Sequence, residues 1–166
     1  MANLIREHRM VDNQRRALIK YVFVSDGTNQ SNTTLIDVST LSYAKNANGY
    51  IMTANADPRL SYRTTIKRIF GNMKSSGLVK LQWCGAQNSE IVVLSTGQFD
   101  YNFSDMGGGA VIPNPEIAPA NNGDILITTT GAAAGDGFTL IIDLKKDGAD
   151  YDPGANADPI AFRSGF

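Results

Sequence analysis

Reactive side chains are scarce in this chain. Its 166 residues include one cysteine, Cys84, and one histidine, His8. A single cysteine excludes an intramolecular disulfide and any zinc site built from several thiolates. Charged residues make up 19% of the chain, against roughly 25% in an ordinary globular domain. No stretch approaches the ~18 apolar residues that a membrane-spanning helix needs. The opening MANLIREHRM has neither the apolar core nor the small-residue cleavage site of a secretory signal. The expectation is a soluble, non-secreted product of a cytoplasm. A surface poor in charge but rich in Thr, Ser, Asn and Gly suits a protein held in an assembly better than a free enzyme.

What the chain does contain is period-two alternation. In ALIKYVFVSD, Leu18, Lys20, Val22 and Val24 alternate with Ile19, Tyr21 and Phe23, and Asp26-Gly27 supplies a turn signal. TTLIDVSTL and SYRTTIKRIFGNM read as further strands. Val79, Leu81 and Trp83, separated by Lys80 and Gln82, form the clearest half-buried one. IVVLSTGQFDYNF reads as two short strands broken near Gly97, with Phe99, Tyr101 and Phe103 on one face. Residues 123–145, GDILITTTGAAAGDGFTLIIDLK, read as two strands facing each other across a small Gly-rich loop. Both faces of that pair carry apolar groups, which places it between layers. Eight or nine strands and no long helix predict an all-β fold, an antiparallel two-sheet β-sandwich with jelly-roll-like topology. The expected organisation is an N-terminal arm over 1–15, a β-sandwich domain over 16–147 and a C-terminal extension over 148–166.

Charge is unevenly spread along the chain. Residues 1–80 hold 12 Lys/Arg against 5 Asp/Glu, and residues 81–166 hold 3 against 11. Separate lobes would dock head to tail or offer a basic face, whereas interleaved strands would dissipate most of the asymmetry.

Catalytic chemistry finds little support. His8 falls in the arm, with no activating group visible for a Ser–His or Cys–His device. Cys84 beside Trp83 reads as a small apolar filler. Asp100 and Asp105 flank an aromatic stretch, and Trp83 could stack on a sugar, but cross-strand aromatics usually serve packing. Asp147, Asp150, Asp152, Asn156 and Asp158 offer oxygen ligands for a hard cation. They lack the turn glycine and bidentate Glu of a calcium loop, so a solvated acidic loop is the favoured reading. Gly107–Gly109 has no following Gly-Lys-Ser/Thr to cradle phosphate. Asn29 and Asn32 head glycosylation patterns without a secretory context. No enzyme activity, no metal and no cofactor are expected. Partner contacts are expected at Arg6, Arg9, Arg15 and Arg16, and at Tyr151, Phe162 and Phe166. For the arginines, an acidic protein neighbour fits at least as well as nucleic acid.

Several segments in order, VSDGTNQSNTTLIDVSTL, TIKRIF, GLVKLQW, IVVLSTGQFDYNFSDMGGG and GDILITTTGAAAGDGFTLIIDLKK, resemble small virion structural proteins of tailed bacteriophages, particularly those of marine and cyanobacterial hosts. The resemblance runs from about Ala17 to Asp147. It implies a non-enzymatic β-sandwich on the particle, here expected to be a capsid decoration or cement protein. Its partners would be the major capsid protein and copies of itself. A neck, tail or baseplate component and a host-glycan-binding module are the alternatives. The arm and the tail lie outside the resemblance and are the expected tethers to neighbouring subunits.

Overall fold

A computed structural model of the chain describes residues 3–51, 59–103, 112–113 and 122–151. The described residues form ten strands in two antiparallel sheets. The strands are β1 (Leu4–Asp12), β2 (Arg16–Asp26), β3 (Thr33–Ile36), β4 (Thr64–Lys74), β5 (Leu78–Trp83), β6 (Ser89–Leu94), β7 (Gly97–Asn102), β8 (Ile112–Pro113), β9 (Ile125–Thr130) and β10 (Ala134–Lys146). A short 3-10 turn at Val38–Thr40 and a single helical turn, α1 (Gly148–Tyr151), complete the secondary structure. The first sheet runs β1-β2-β10-β4-β7, with β8 paired to the start of β4, and the second runs β3-β9-β5-β6.

Alternating side chains hold the sheets together as two layers around one core. In β2, Ala17, Ile19, Tyr21 and Phe23 are buried while Leu18, Lys20 and Val22 stay half-exposed on the other face. Val79, Leu81 and Trp83 of β5 close the same core from the second sheet, as the period-two pattern predicts. Phe23 and Phe138 stack within it with centroids 4.8 Å apart.

Connections cross repeatedly between the layers. Among the described strands, only β1–β2 and β5–β6 are hairpins within a sheet; β2 to β3, β3 to β4, β4 to β5, β6 to β7, β8 to β9 and β9 to β10 each change sheet. The 123–145 stretch is therefore not a hydrogen-bonded hairpin between layers; it supplies one strand to each layer. β9 lies between β3 and β5 in one layer, and β10 lies between β2 and β4 in the other. Local alternation correctly marks two strands, but both edges of each are taken by strands distant in sequence. Gly131 at φ +72° and Gly135 at φ +88° supply the left-handed backbone that the corner needs.

Two expected boundaries also shift. Leu4–Asp12, read as an arm, is β1, paired with β2 along its length and carrying a bulge at Met10. The extension expected from 148 begins instead with α1, whose Tyr151 is wholly buried in the core. Its hydroxyl donates to the Val38 carbonyl at 3.0 Å.

Candidate functional site

The groups with catalytic potential are dispersed or engaged. His8 lies exposed at the middle of β1 and forms no hydrogen bond to a nucleophile among the described residues. Burial, with Asp124 nearby, pushes the half-buried Cys84 thiol up, away from the thiolate form that attacks. Asp100 is gripped in bidentate fashion by Arg68 at 2.8 and 2.6 Å, and that hydrogen bonding lowers its pKa. Its suggested companion, Asp105, lies outside the described residues. Trp83 is 2% exposed, so its indole packs in the core and is closed to a sugar. No cluster of three His, Cys, Asp or Glu poised for a metal occurs among the described residues.

Asp150, expected in a solvated acidic loop, is buried and forms the hub of a polar lock at one end of the sandwich. Its carboxylate accepts from Arg59 Nη1 at 2.7 Å, from the Arg63 amide at 2.9 Å and from Arg63 Nε at 3.0 Å. Beside it, the fully buried Lys146 ammonium donates to Asp12, to the Asn13 carbonyl at 2.7 Å and to the Ser42 carbonyl at 2.9 Å. It also lies 5.1 Å from the Tyr151 ring centroid. Three acceptors match its three donors, so the buried charge is satisfied. Burial lowers the pKa of Lys146 despite Asp12. The Asp12 carboxyl is held low by Lys146 and Ser42 although burial opposes this. No sequence signal marks this lock, because its members come from five separate segments. Asp152, Asn156 and Asp158 lie outside the described residues.

The residues expected to bind partners separate into distinct environments. Arg6 stands exposed on the outer face of β1, opposite Val22. Arg9 points to the other face, donating to Glu7 at 2.6 Å and to the Thr40 carbonyl and hydroxyl, both at 2.7 Å. Arg15 lies exposed in the β1–β2 turn, where its amide donates to the Asn13 side chain. Arg16 forms a two-point ion pair with Asp143 at 2.8 and 2.9 Å. Tyr151 is buried, so it is a packing residue and offers no contact surface. Phe162 and Phe166 lie outside the described residues.

What the fold assembles is the outer face of the first sheet. Strand alternation places Leu18 and Val22 of β2, Ile141 of β10 and Phe70 of β4 on this side, all partly exposed. Around them stand Arg6, Lys20, Lys74 and Lys145, none of which forms an ion pair among the described residues. Of the acidic groups on the face among the described residues, Asp143 and Asp100 are already neutralised by Arg16 and Arg68, while Asp26 at the end of β2 accepts from the Thr28 amide and hydroxyl. The Arg68 guanidinium also lies 4.6 Å over the Phe70 ring. Two shallow depressions break the surface, one over Phe70, Asn72, Gln98 and Thr139, the other over Arg6, His8, Lys20 and Val22. The result is an aliphatic centre with a cationic surround. Such a face attracts an acidic surface at long range and then buries apolar area against it. Of its residues, sequence reasoning marked Arg6 and Arg16. The missing signal was the strand order that brings β1, β2, β10 and β4 side by side.

Compared with protein-family models, curated proteins and solved structures, the chain matches none.

Proposed function

We propose that this chain is a non-enzymatic structural protein of a bacteriophage virion, a decoration or cement protein that sits on the outside of the capsid and reinforces the shell. The observation that carries the reading is the outer face of the first sheet: apolar groups ringed by cations that form no ion pair among the described residues. Such a face suits docking on a broad, acidic protein surface, which the reading assigns to the major capsid protein. Sequence likeness to small virion proteins of tailed phages supports the same reading. So does the wiring, β2-β10-β4-β7 against β3-β9-β5-β6, an order that supports a jelly-roll reading of the sandwich. Reinforcement would arise from many modest, repeated contacts acting together.

Particles assembled without this chain test the proposal. They should lose heat and osmotic resistance and recover it when the purified protein is added back. Unchanged resistance would overturn it. A neck, tail or baseplate position would appear by electron microscopy as one ring in place of many copies over the shell. A host-glycan module has one observation in its favour, the ladder of Phe99, Tyr101 and Phe103. Its rings, partly exposed and partly packed against the core, stack with centroids 6.4 Å apart and interplanar angles of 27° and 10°. Glycan-array binding abolished by Tyr101→Ala in a folded protein would favour that reading over decoration.

A further inference from the structure

Strand β1 ends the first sheet, and its far side is open. Seven consecutive residues, from Leu4 to Met10, are exposed. Three of them are large apolar side chains, Leu4 at 44%, Ile5 at 37% and Met10 at 49% exposure. One side of the strand pairs with β2; the backbone groups of the other have no strand partner among the described residues. An open edge of this length is a template for another strand, and proteins guard such edges with charged side chains (lysine above all), prolines, bulges or short strands; of these β1 carries arginine, glutamate and aspartate charges and a bulge at Met10. β1 has no lysine and no proline. Its charges alternate in sign.

That alternation is self-complementary in one register. A two-fold axis perpendicular to the sheet keeps each side chain on its own face, so two copies of a strand pair symmetrically only about a residue. Centring the pair on Arg6, Glu7 or Arg9 sets like charges against each other. Centring it on His8, the midpoint of Leu4–Asp12, sets Glu7 of each copy opposite Arg9 of the other. The 2.6 Å ion pair that these two residues already form within one chain is thereby extended across the axis rather than created by it. Glu7 and Arg9 share a face, since they lie opposite Tyr21 and Ile19, whose side chains both point inward. The bulge at Met10 lies outside this central trio. The same register overlaps the most strand length and covers the exposed aliphatic groups at both ends.

We propose that β1 pairs antiparallel with β1 of a second copy about a two-fold axis at His8, joining the first sheets of two subunits edge to edge. This pairing belongs to the isolated chain and stands whether or not the virion reading holds.

Cross-linking tests the register. Directly opposed residues in an antiparallel pair have Cα atoms about 4.5–5.5 Å apart, within the roughly 4.4–6.8 Å range of a disulfide. In a full-length Cys84→Ser background, His8→Cys should oxidise to a covalent dimer, while Arg6→Cys, which does not face itself across the axis, should remain largely monomeric. In sedimentation velocity, Glu7→Arg should weaken self-association by about tenfold or more, and the double exchange Glu7→Arg with Arg9→Glu should restore it. Melting curves on each variant verify that the fold is retained; the cysteine pair leaves the Arg9 contacts to Asp12 and Thr40 untouched. A monomeric parent chain at about 100 μM, or equal cross-linking of the two cysteine variants, would overturn the proposal.

Discussion

Lys146 illustrates how a single residue can hold an end of the sandwich. Its ammonium sits at 0% side-chain exposure between Asp12 and two carbonyls, so removing it strands the Asp12 carboxylate. Lys146→Met should therefore lower unfolding free energy by about 3–5 kcal/mol, the usual consequence of breaking a buried pair from one side. Denaturant melts at neutral pH measure this. Asp124 behaves oppositely. Burial pushes its pKa up to about 6, with Asp37 adding to the rise, even though the Val38 amide donates to it at 3.0 Å. The folded protein thus binds a proton more tightly than the unfolded chain, and stability falls as pH rises from about 4 through about 6. Asp124→Asn keeps an acceptor for the Val38 amide and abolishes the titration. The variant should lack that pH slope, a difference of about 1 kcal/mol between pH 4 and 7 in paired melts, allowing for partial exposure and the altered contact with Asn122.

At the scale of elements, the corners that carry the chain between layers are as important as the strands. The β4–β5 turn and the β9–β10 turn lie back to back. A side chain at Gly77 would place its Cβ 1.9 Å from the Thr130 carbonyl oxygen. Gly77→Ala should therefore force the two corners apart and cost about 2 kcal/mol or more, readable as a lower midpoint with an unchanged far-ultraviolet spectrum. Asp136 clasps the same corners, accepting from the Ala133 amide at 2.8 Å, the Ser76 amide at 2.9 Å and the Ser76 hydroxyl at 2.8 Å. Those bonds hold its pKa down to about 2. Its contribution is complete above about pH 4 and disappears as pH falls toward 2. Asp136→Asn should flatten acid unfolding in that window. The strands themselves were legible, since Val79, Leu81 and Trp83 alternate cleanly with Lys80 and Gln82. β1 was not, because both of its faces are exposed and no burial pattern is written into LIREHRMVD. What makes it a strand is the open edge of β2.

On the scale of the whole molecule, the charge imbalance between the two halves of the chain survives only in part. The first sheet interleaves β1, β2 and β4 with β7 and β10, and Asp100 and Asp143 from the acidic half neutralise Arg68 and Arg16. Arg6, Lys20, Lys74 and Lys145 form no ion pair among the described residues and stand on the same face. The decoration proposal predicts that Arg6→Glu with Lys20→Glu lowers occupancy on capsids by about tenfold or more while leaving the melting temperature nearly unchanged, because both side chains face away from the core. Quantitative binding to particles lacking the native protein reads this out. Normal occupancy would remove the outer face from the capsid contact.

The amino-acid order alone determined that this protein is built of β-strands around an apolar core, because alternation with period two is a local property that each segment carries within itself. It also marked the poverty of reactive groups. Which strands become neighbours was decided only in the folded molecule. β9 and β10, three residues apart in the chain, ended in opposite layers, since each could satisfy both of its hydrogen-bonding edges only with distant partners. The same long-range pairing gathered Lys146, Asp12 and Asp150 into a buried lock and ranged scattered cations over one face, arrangements that depend on distances in space and leave no trace in sequence spacing.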